Sequence, residues 1–290
     1  MTEAGPPASQ RARAATGLTS DEGARREGAV SSASGGERGI GVVVGATGTI
    51  GQAVIRRLTG RGLPVLAVAR GRDDLDKLAS ADELVTPCPA DIGSNDAIGA
   101  IGSALTGSDG LYGPVRMAVF AAGLPVRGSA DTIDPDALAV GSNIKVGGLL
   151  RLLHAVRDRL VPGSRFVTFA GSLGLEPRAH EAGPGAVNAA VFNLMRQISL
   201  LYGPRGVTTH TLSPGPADTP RLHRIVAAVA AERGAAEEDV WQEYVAQNSL
   251  GRLPTADELA WAVEMLLAPE ASILHGSVLH LDAGGHRGIH

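Results

Sequence analysis

Three glycines set where a strand gives way to a helix carry the clearest chemistry in this chain: Gly45, Gly48 and Gly51 in Val42-Val43-Val44-Gly45-Ala46-Thr47-Gly48-Thr49-Ile50-Gly51. Such a turn can seat a dinucleotide. Gly45 allows the tight bend, Gly48 lets the backbone approach a pyrophosphate, and Gly51 lets the helix pack close to the strand. Thr47, Thr49 and Ile50 complete a helix start whose unpaired N–H groups and positive dipole end suit an anion. The alternative is a purely structural link between strand and helix. A second cue ends the next strand, at Ala69-Arg70-Gly71-Arg72. A carboxylate there would accept ribose hydroxyls and favour NAD(H), whereas a guanidinium can pair with a 2'-phosphate. Arg70, with Arg72 as a second partner, therefore favours NADP(H) over NAD(H); the alternative is a solvated arginine pair opening a surface helix. His180, in the loop 175–183, titrates near neutral pH and is a candidate acid or base. Lying beside Glu176 and Glu181, it also reads as an exposed loop histidine.

The elements that must position these residues follow from the pattern beyond Gly39. Strands are predicted over 40–44, 65–69, 83–87, 115–120, 165–169, 207–212 and 278–281. Helices are predicted over 52–59, 73–78, 94–105, 135–160, 186–201 and 256–267. Their alternation implies a single α/β domain over 40–290: a Rossmann-like, doubly wound parallel sheet flanked by helices. Residues 1–39, rich in Ala, Gly, Ser, Arg and Glu, cannot bury enough apolar surface to offset ordering and are expected to be a disordered extension. The net charge of −4 is mixed along the chain without a basic stripe, which argues against a nucleic-acid partner. Cys88, the one cysteine, excludes an internal disulfide and a cysteine-based metal cluster, fits a reducing cytosol, and reads as a small residue between two prolines. No apolar run is long enough to span a membrane, so a cytoplasmic protein is expected.

From Gly39 to His286 the chain resembles the short-chain dehydrogenase/reductase family. Phe120-Ala121-Ala122-Gly123 matches the family's Asn-Ala-Gly type turn near the adenine ribose, and Asp91-Ile92 the loop that touches the adenine amino group. Asn143, in Gly141-Ser142-Asn143-Ile144, matches the helix asparagine of the catalytic tetrad, although in this fold it can be kept for the helix's shape alone. Ser213-Pro214-Gly215-Pro216-Ala217-Asp218-Thr219 resembles the Pro-Gly loop at the nicotinamide, with Thr219 as the hydroxyl for the carboxamide. Gly251-Arg252-Leu253-Pro254 and Gly276 to Gly285 resemble the C-terminal segment. The glycine spacing departs from the family's commonest pattern and looks like that of its extended or atypical branches. The resemblance also implies a homodimer or homotetramer built on helices 135–160 and 186–201. Val191, Leu194, Ile198 and Leu201 lie there at helical spacing, which the subunit core also explains.

The catalytic segment breaks the resemblance. The family uses a Ser to polarise the substrate carbonyl, a Tyr to transfer the proton, and a Lys four residues later to tune the Tyr. Counting back from Pro204-Arg205-Gly206 puts Pro184 at the Tyr position, Asn188 at the Lys position and Gly171 at the Ser position, with Ser172 adjacent. Lys145 is two residues past Asn143 on a helix and points to a different face, so it does not take the lysine's place. Three readings stay open. One is a hydride-transfer enzyme for a small organic substrate with an activated C=C, imine or carbonyl, in which Asn188 binds the nicotinamide ribose and Ser172, His180 or water assists. Another is a non-redox dehydratase, isomerase or cyclase, and the third a silent nucleotide-binding scaffold. Residues 221–250 fall where the family builds its substrate lid. Trp241 and Tyr244 there either face an apolar substrate or dock the lid onto the core.

Overall fold

The computed structural model describes residues 39–106 and 111–288; the expected disordered extension, apart from Gly39, lies outside the described residues. Along the chain run β1 (Ile40–Val44), α1 (Thr49–Thr59), β2 (Val65–Ala69), α2 (Arg72–Ala81), β3 (Val85–Pro89), α3 (Asp96–Ala104) and β4 (Val115–Phe120). Then come α4 (Pro135–Ser142), α5 (Gly148–Val156), β5 (Arg165–Phe169), α6 (Ala182–Tyr202) and β6 (Thr208–Pro214). The last elements are α7 (Pro220–Arg233), α8 (Glu237–Val245), α9 (Ala256–Met265) and β7 (Val278–Leu281). The strands form one parallel sheet in the order β3-β2-β1-β4-β5-β6-β7. Its order reverses between β1 and β4, which opens a crevice at their carboxyl ends.

Both faces of the sheet are covered, so the central strands are apolar throughout rather than alternating. Val42 and Val44 point to the layer of α3, α5 and α6, where Ile101, Leu149, Leu152 and Val191 are buried with Phe120 and Phe166. Val43 points the other way, to Leu58, Leu75, Leu259 and Val263 of α1, α2 and α9. Cys88 is buried in the first layer, and burial pushes its thiol up to about 11, so it stays protonated and inert.

Several expected boundaries are corrected. β3 begins at Val85 rather than residue 83 and holds Pro87 and Pro89, which an edge strand accepts because one side of it needs no ladder donors. The long helix expected over 135–160 is interrupted by a π-helical turn at Asn143–Gly147 and ends in a short 3-10 turn. α6 starts at Ala182, four residues earlier than expected. Pro184 sits in its first turn, where a missing N–H loses no helix bond. Of the expected interface stripe, Val191 and Ile198 are buried in the subunit's own core, while Leu201 is 68 % exposed. The lid region is two helices, α7 and α8, joined through Leu222, Val226, Ala230 and Val240. Trp241 and Tyr244 pack into that cluster, and Trp241 stacks on His223 with ring centroids 4.6 Å apart. That pair holds the lid helices together.

Candidate active site

A cavity of about 870 Å³ lies at the carboxyl ends of β1, β2 and β4. Its floor begins at the glycine turn. Gly45 has φ +85°, and a Cβ on it would stand 2.7 Å from the carbonyl carbon of Ala121. A Cβ on Gly51 would stand 2.1 Å from the Gly45 carbonyl oxygen, so the start of α1 lies directly on the turn. Gly48 is the N-cap of α1 and has no side chain to satisfy the first-turn N–H groups, and that turn carries no acidic residue. These are the features a pyrophosphate requires. Gly45, Thr47 and Gly48 line the cavity; Thr49, Ile50 and Gly51 form the helix turn behind them.

The adenosine end is bounded by Ala69, Arg70, Asp91 and Ile92, all lining the cavity. Asp91 is fixed by the Gly93 N–H, 2.9 Å from its Oδ1. Arg72, expected as a second phosphate partner, is corrected: it opens α2 and lies 3.8 Å from Asp76, one helical turn on, without lining the cavity. Ala121, Ala122 and Gly123 form the wall after β4. This set, with the Arg70 guanidinium after β2 and the Asp91 carboxylate after β3, fits the adenosine end of a dinucleotide.

The middle of the site turns on the π-helical turn. One extra residue per turn rotates the side chains that follow it. Asn143 and Lys145 therefore diverge, as the helix geometry implied, but it is Lys145 that reaches the carboxyl edge of the sheet. Its Nζ donates to the carbonyls of Ala122, at 2.9 Å, and Phe169, at 2.7 Å, and lies 5.6 Å from the centre of the Phe120 ring. Burial first, and the charge of Arg221 second, lower its pKa to about 8. Asn143 is the correction on the other side. Its Nδ2 donates to the Gly93 carbonyl at 2.8 Å and its Oδ1 accepts from Arg151 at 2.7 Å, so the amide is committed to holding the β3–α3 loop.

Asn188 is buried against Gly171 and Gly174, and its Oδ1 has no hydrogen-bond partner. A buried carbonyl oxygen left so is costly, and a ligand hydroxyl or water would satisfy it. Ser172 opens a short 3-10 turn whose backbone carbonyl accepts from Leu175 and Glu176, and it does not line the cavity. His180 is exposed and does not line the cavity. Pro214 and Gly215 do not line the cavity, and Gly215 packs on Asp282 of the chain after β7. The Thr219 hydroxyl caps α7, accepting from the Leu222 N–H at 3.4 Å. Thr219, expected at the carboxamide, does not line the cavity.

Sequence reasoning missed Arg127, Arg221 and Arg224, which line the lid end of the cavity with Leu124, Pro125 and Ile225. Arg221 and Arg224 follow the Pro-Gly loop, and their one available signal was that two cations open a helix without an acid. Arg127 and Glu181, 2.7 Å apart, clasp the loop after β4 to the start of α6.

Comparison with known proteins agrees with this geometry. The family model described as enoyl-(acyl carrier protein) reductase matches residues 45–286. Cis-4-hydroxycyclohexanecarboxylate dehydrogenase of Sinomonas cyclohexanicum is 29 % identical over 252 residues, 84 % of this chain and 95 % of that protein. Short-chain reductase protein NovJ of Streptomyces niveus is 26 % identical over 270 residues, 92 % of this chain and 99 % of its own length. The crystal structure of BdcA in complex with NADPH superposes with a TM-score of 0.72 at 23 % identity, covering 87 % of this chain and 98 % of that one. That last likeness is one of fold.

Proposed function

We propose, because this chain belongs to the short-chain dehydrogenase/reductase family, that it is an NADP(H)-dependent oxidoreductase with a non-standard active site, acting on an activated C=C, imine or carbonyl group of a small organic substrate. The observation that carries this reading is the open cavity at the switch point of the sheet, with a guanidinium and no carboxylate at the end of β2. The fold neighbour bound to NADPH supports the choice of cofactor.

When bound, the nicotinamide cofactor supplies or accepts a hydride. The chain's own residues do the rest. The Gly45 to Gly51 turn holds the pyrophosphate, Arg70 the 2'-phosphate, and Asp91 the adenine. Asn188 offers its unpartnered Oδ1 to a ribose hydroxyl. Pro184 and Asn188, at the family's Tyr and Lys positions, exchange no proton near neutral pH. Lys145 holds a proton at Nζ, donated to the Ala122 and Phe169 carbonyls, and so fixes the chain ends of β4 and β5 beside the cavity. A substrate whose reduction needs no tuned tyrosine suits this arrangement. Among the described residues no helix is long and apolar enough to cross a membrane; a cytoplasmic homo-oligomer is part of the reading.

The test is titration of NADPH and NADH, read by calorimetry and nicotinamide fluorescence. NADPH should bind at least ~10-fold more tightly than NADH, and Arg70→Ala should remove most of that preference, as expected for one charge-assisted pair. Failure of both cofactors to bind would refute the oxidoreductase reading.

A further inference from the structure

Cations crowd the lid end of the cavity with too few anions to balance them. Arg127, Arg221 and Arg224 line it together. Among the described residues their ion pairs supply one carboxylate, Glu181 on Arg127. Arg221 reaches across the mouth of the cavity: its Nη2 donates to the Leu124 carbonyl at 2.6 Å, and a Cβ on Gly123 would stand 3.2 Å from its Nη1. Arg224 Nε donates to the Pro220 carbonyl at 3.2 Å. The mutual repulsion registers on both sides. Arg221 is held below its ordinary value by desolvation first and then by Arg127 and Arg224, and Lys145 below its own by burial and then by Arg221. Moreover, Arg221 and Arg224 sit at the start of α7, a helix with no acidic residue in its first turn, where the macrodipole disfavours cations. Arg221 thus carries a desolvated charge beside two other cations, and an anion next to it would offset that cost.

The cofactor's own anions have other partners: the glycine turn for the pyrophosphate and Arg70 for the 2'-phosphate. Around the arginines the wall is apolar, made by Leu124, Pro125 and Ile225. Resting on the oxidoreductase reading, we propose that the substrate is a small organic carboxylate with an apolar body, whose carboxylate is held by Arg221 and Arg224 with Arg127 at the rim. Planar guanidiniums match a carboxylate in fork geometry, and the apolar wall takes the body.

The test titrates benzoate, its neutral counterpart benzamide, hexanoate and inorganic phosphate against the full chain, with and without saturating NADPH. Benzoate or hexanoate should bind, benzamide at least ~10-fold more weakly than benzoate. Arg221→Gln combined with Arg224→Gln should weaken the carboxylates ~10- to 100-fold while leaving NADPH affinity within ~3-fold, which also shows that the variant is folded. Arg221→Lys with Arg224→Lys should restore part of the loss. Equal binding of benzoate and benzamide, tighter binding of phosphate than of either carboxylate, or no binding of any probe would overturn the proposal. So would a double variant that loses NADPH and keeps the carboxylates, because the arginines would then serve the cofactor's phosphates. Arginine-dependent carboxylate binding in a protein that binds neither NADPH nor NADH would uphold the subsite and refute the oxidoreductase reading instead.

Discussion

Gly45 is held by two independent constraints, a positive φ that side chains rarely adopt and the Ala121 backbone where its Cβ would go. Gly45→Ala should therefore cost about 1–3 kcal/mol in denaturant unfolding and abolish NADPH binding by calorimetry, since the turn must move to admit the methyl. Unchanged affinity would show that this turn does not hold the pyrophosphate. Lys145 makes a different kind of claim. Its ordinary pKa of 10.5 falls to about 8 in the folded protein, so between those values the unfolded chain binds more protons and stability rises with pH. Below pH 8 the ammonium is present in both states and its full burial cost is borne. Relative to Lys145→Met, the wild-type protein should thus gain up to about 3 kcal/mol from pH 8 to 10.5, measured by denaturant unfolding at each pH. Parallel stabilities across that window would mean that the ammonium is hydrated.

Among the elements, the π-helical turn between α4 and α5 does most to shape the site. By adding one residue to a helical turn it lets Asn143 tie down Gly93 while Lys145, two residues on, crosses to the ends of β4 and β5. α6 shows the converse, a helix that extends through a proline because first-turn N–H groups have no helical acceptor. α9 is fixed by a capping box: Thr255 accepts from the Glu258 N–H at 3.2 Å, and Glu258 accepts from the Thr255 N–H at 2.8 Å. Thr255→Ala should lower stability by about 1 kcal/mol without changing NADPH affinity, because α9 packs on α1 from the face away from Lys145. A change in affinity alone would show that α9 sets the position of the glycine turn.

At the scale of the molecule, the reversal of strand order between β1 and β4 makes the crevice, and the two helical layers make it rigid. A ligand that binds only the folded state adds RT ln(1 + [L]/Kd), about 2.7 kcal/mol at a hundredfold excess over Kd. NADPH at that excess should raise the Tm by about 5–10 °C, with NADH at the same concentration giving much less. Equal shifts from the two would remove Arg70 from the discrimination. The segment after β7 closes the far side: Asp282 accepts from the Gly284 and His286 N–H groups at 3.0 and 2.9 Å, and Glu176 accepts from the Arg287 N–H at 2.9 Å.

The sequence alone determined the parallel α/β sheet, the glycine turn and the guanidinium at the end of β2, because each is a local pattern: apolar runs of strand length, a glycine where φ must be positive, a charge at a strand's end. Counted along the resemblance, it also placed Pro184 and Asn188 at the family's Tyr and Lys positions. What only the tertiary structure decided is where longer side chains go. A π-helical turn has no strong local signature, so Lys145 was read on ideal helical geometry and its convergence on Ala122 and Phe169 went unseen. Thr219, read from the sequence as a ligand contact, caps α7, which begins one residue later. Arg127 and Arg221 stand far apart in the chain and meet because α7 folds back over the loop after β4, a contact set by packing rather than by any pattern within either segment.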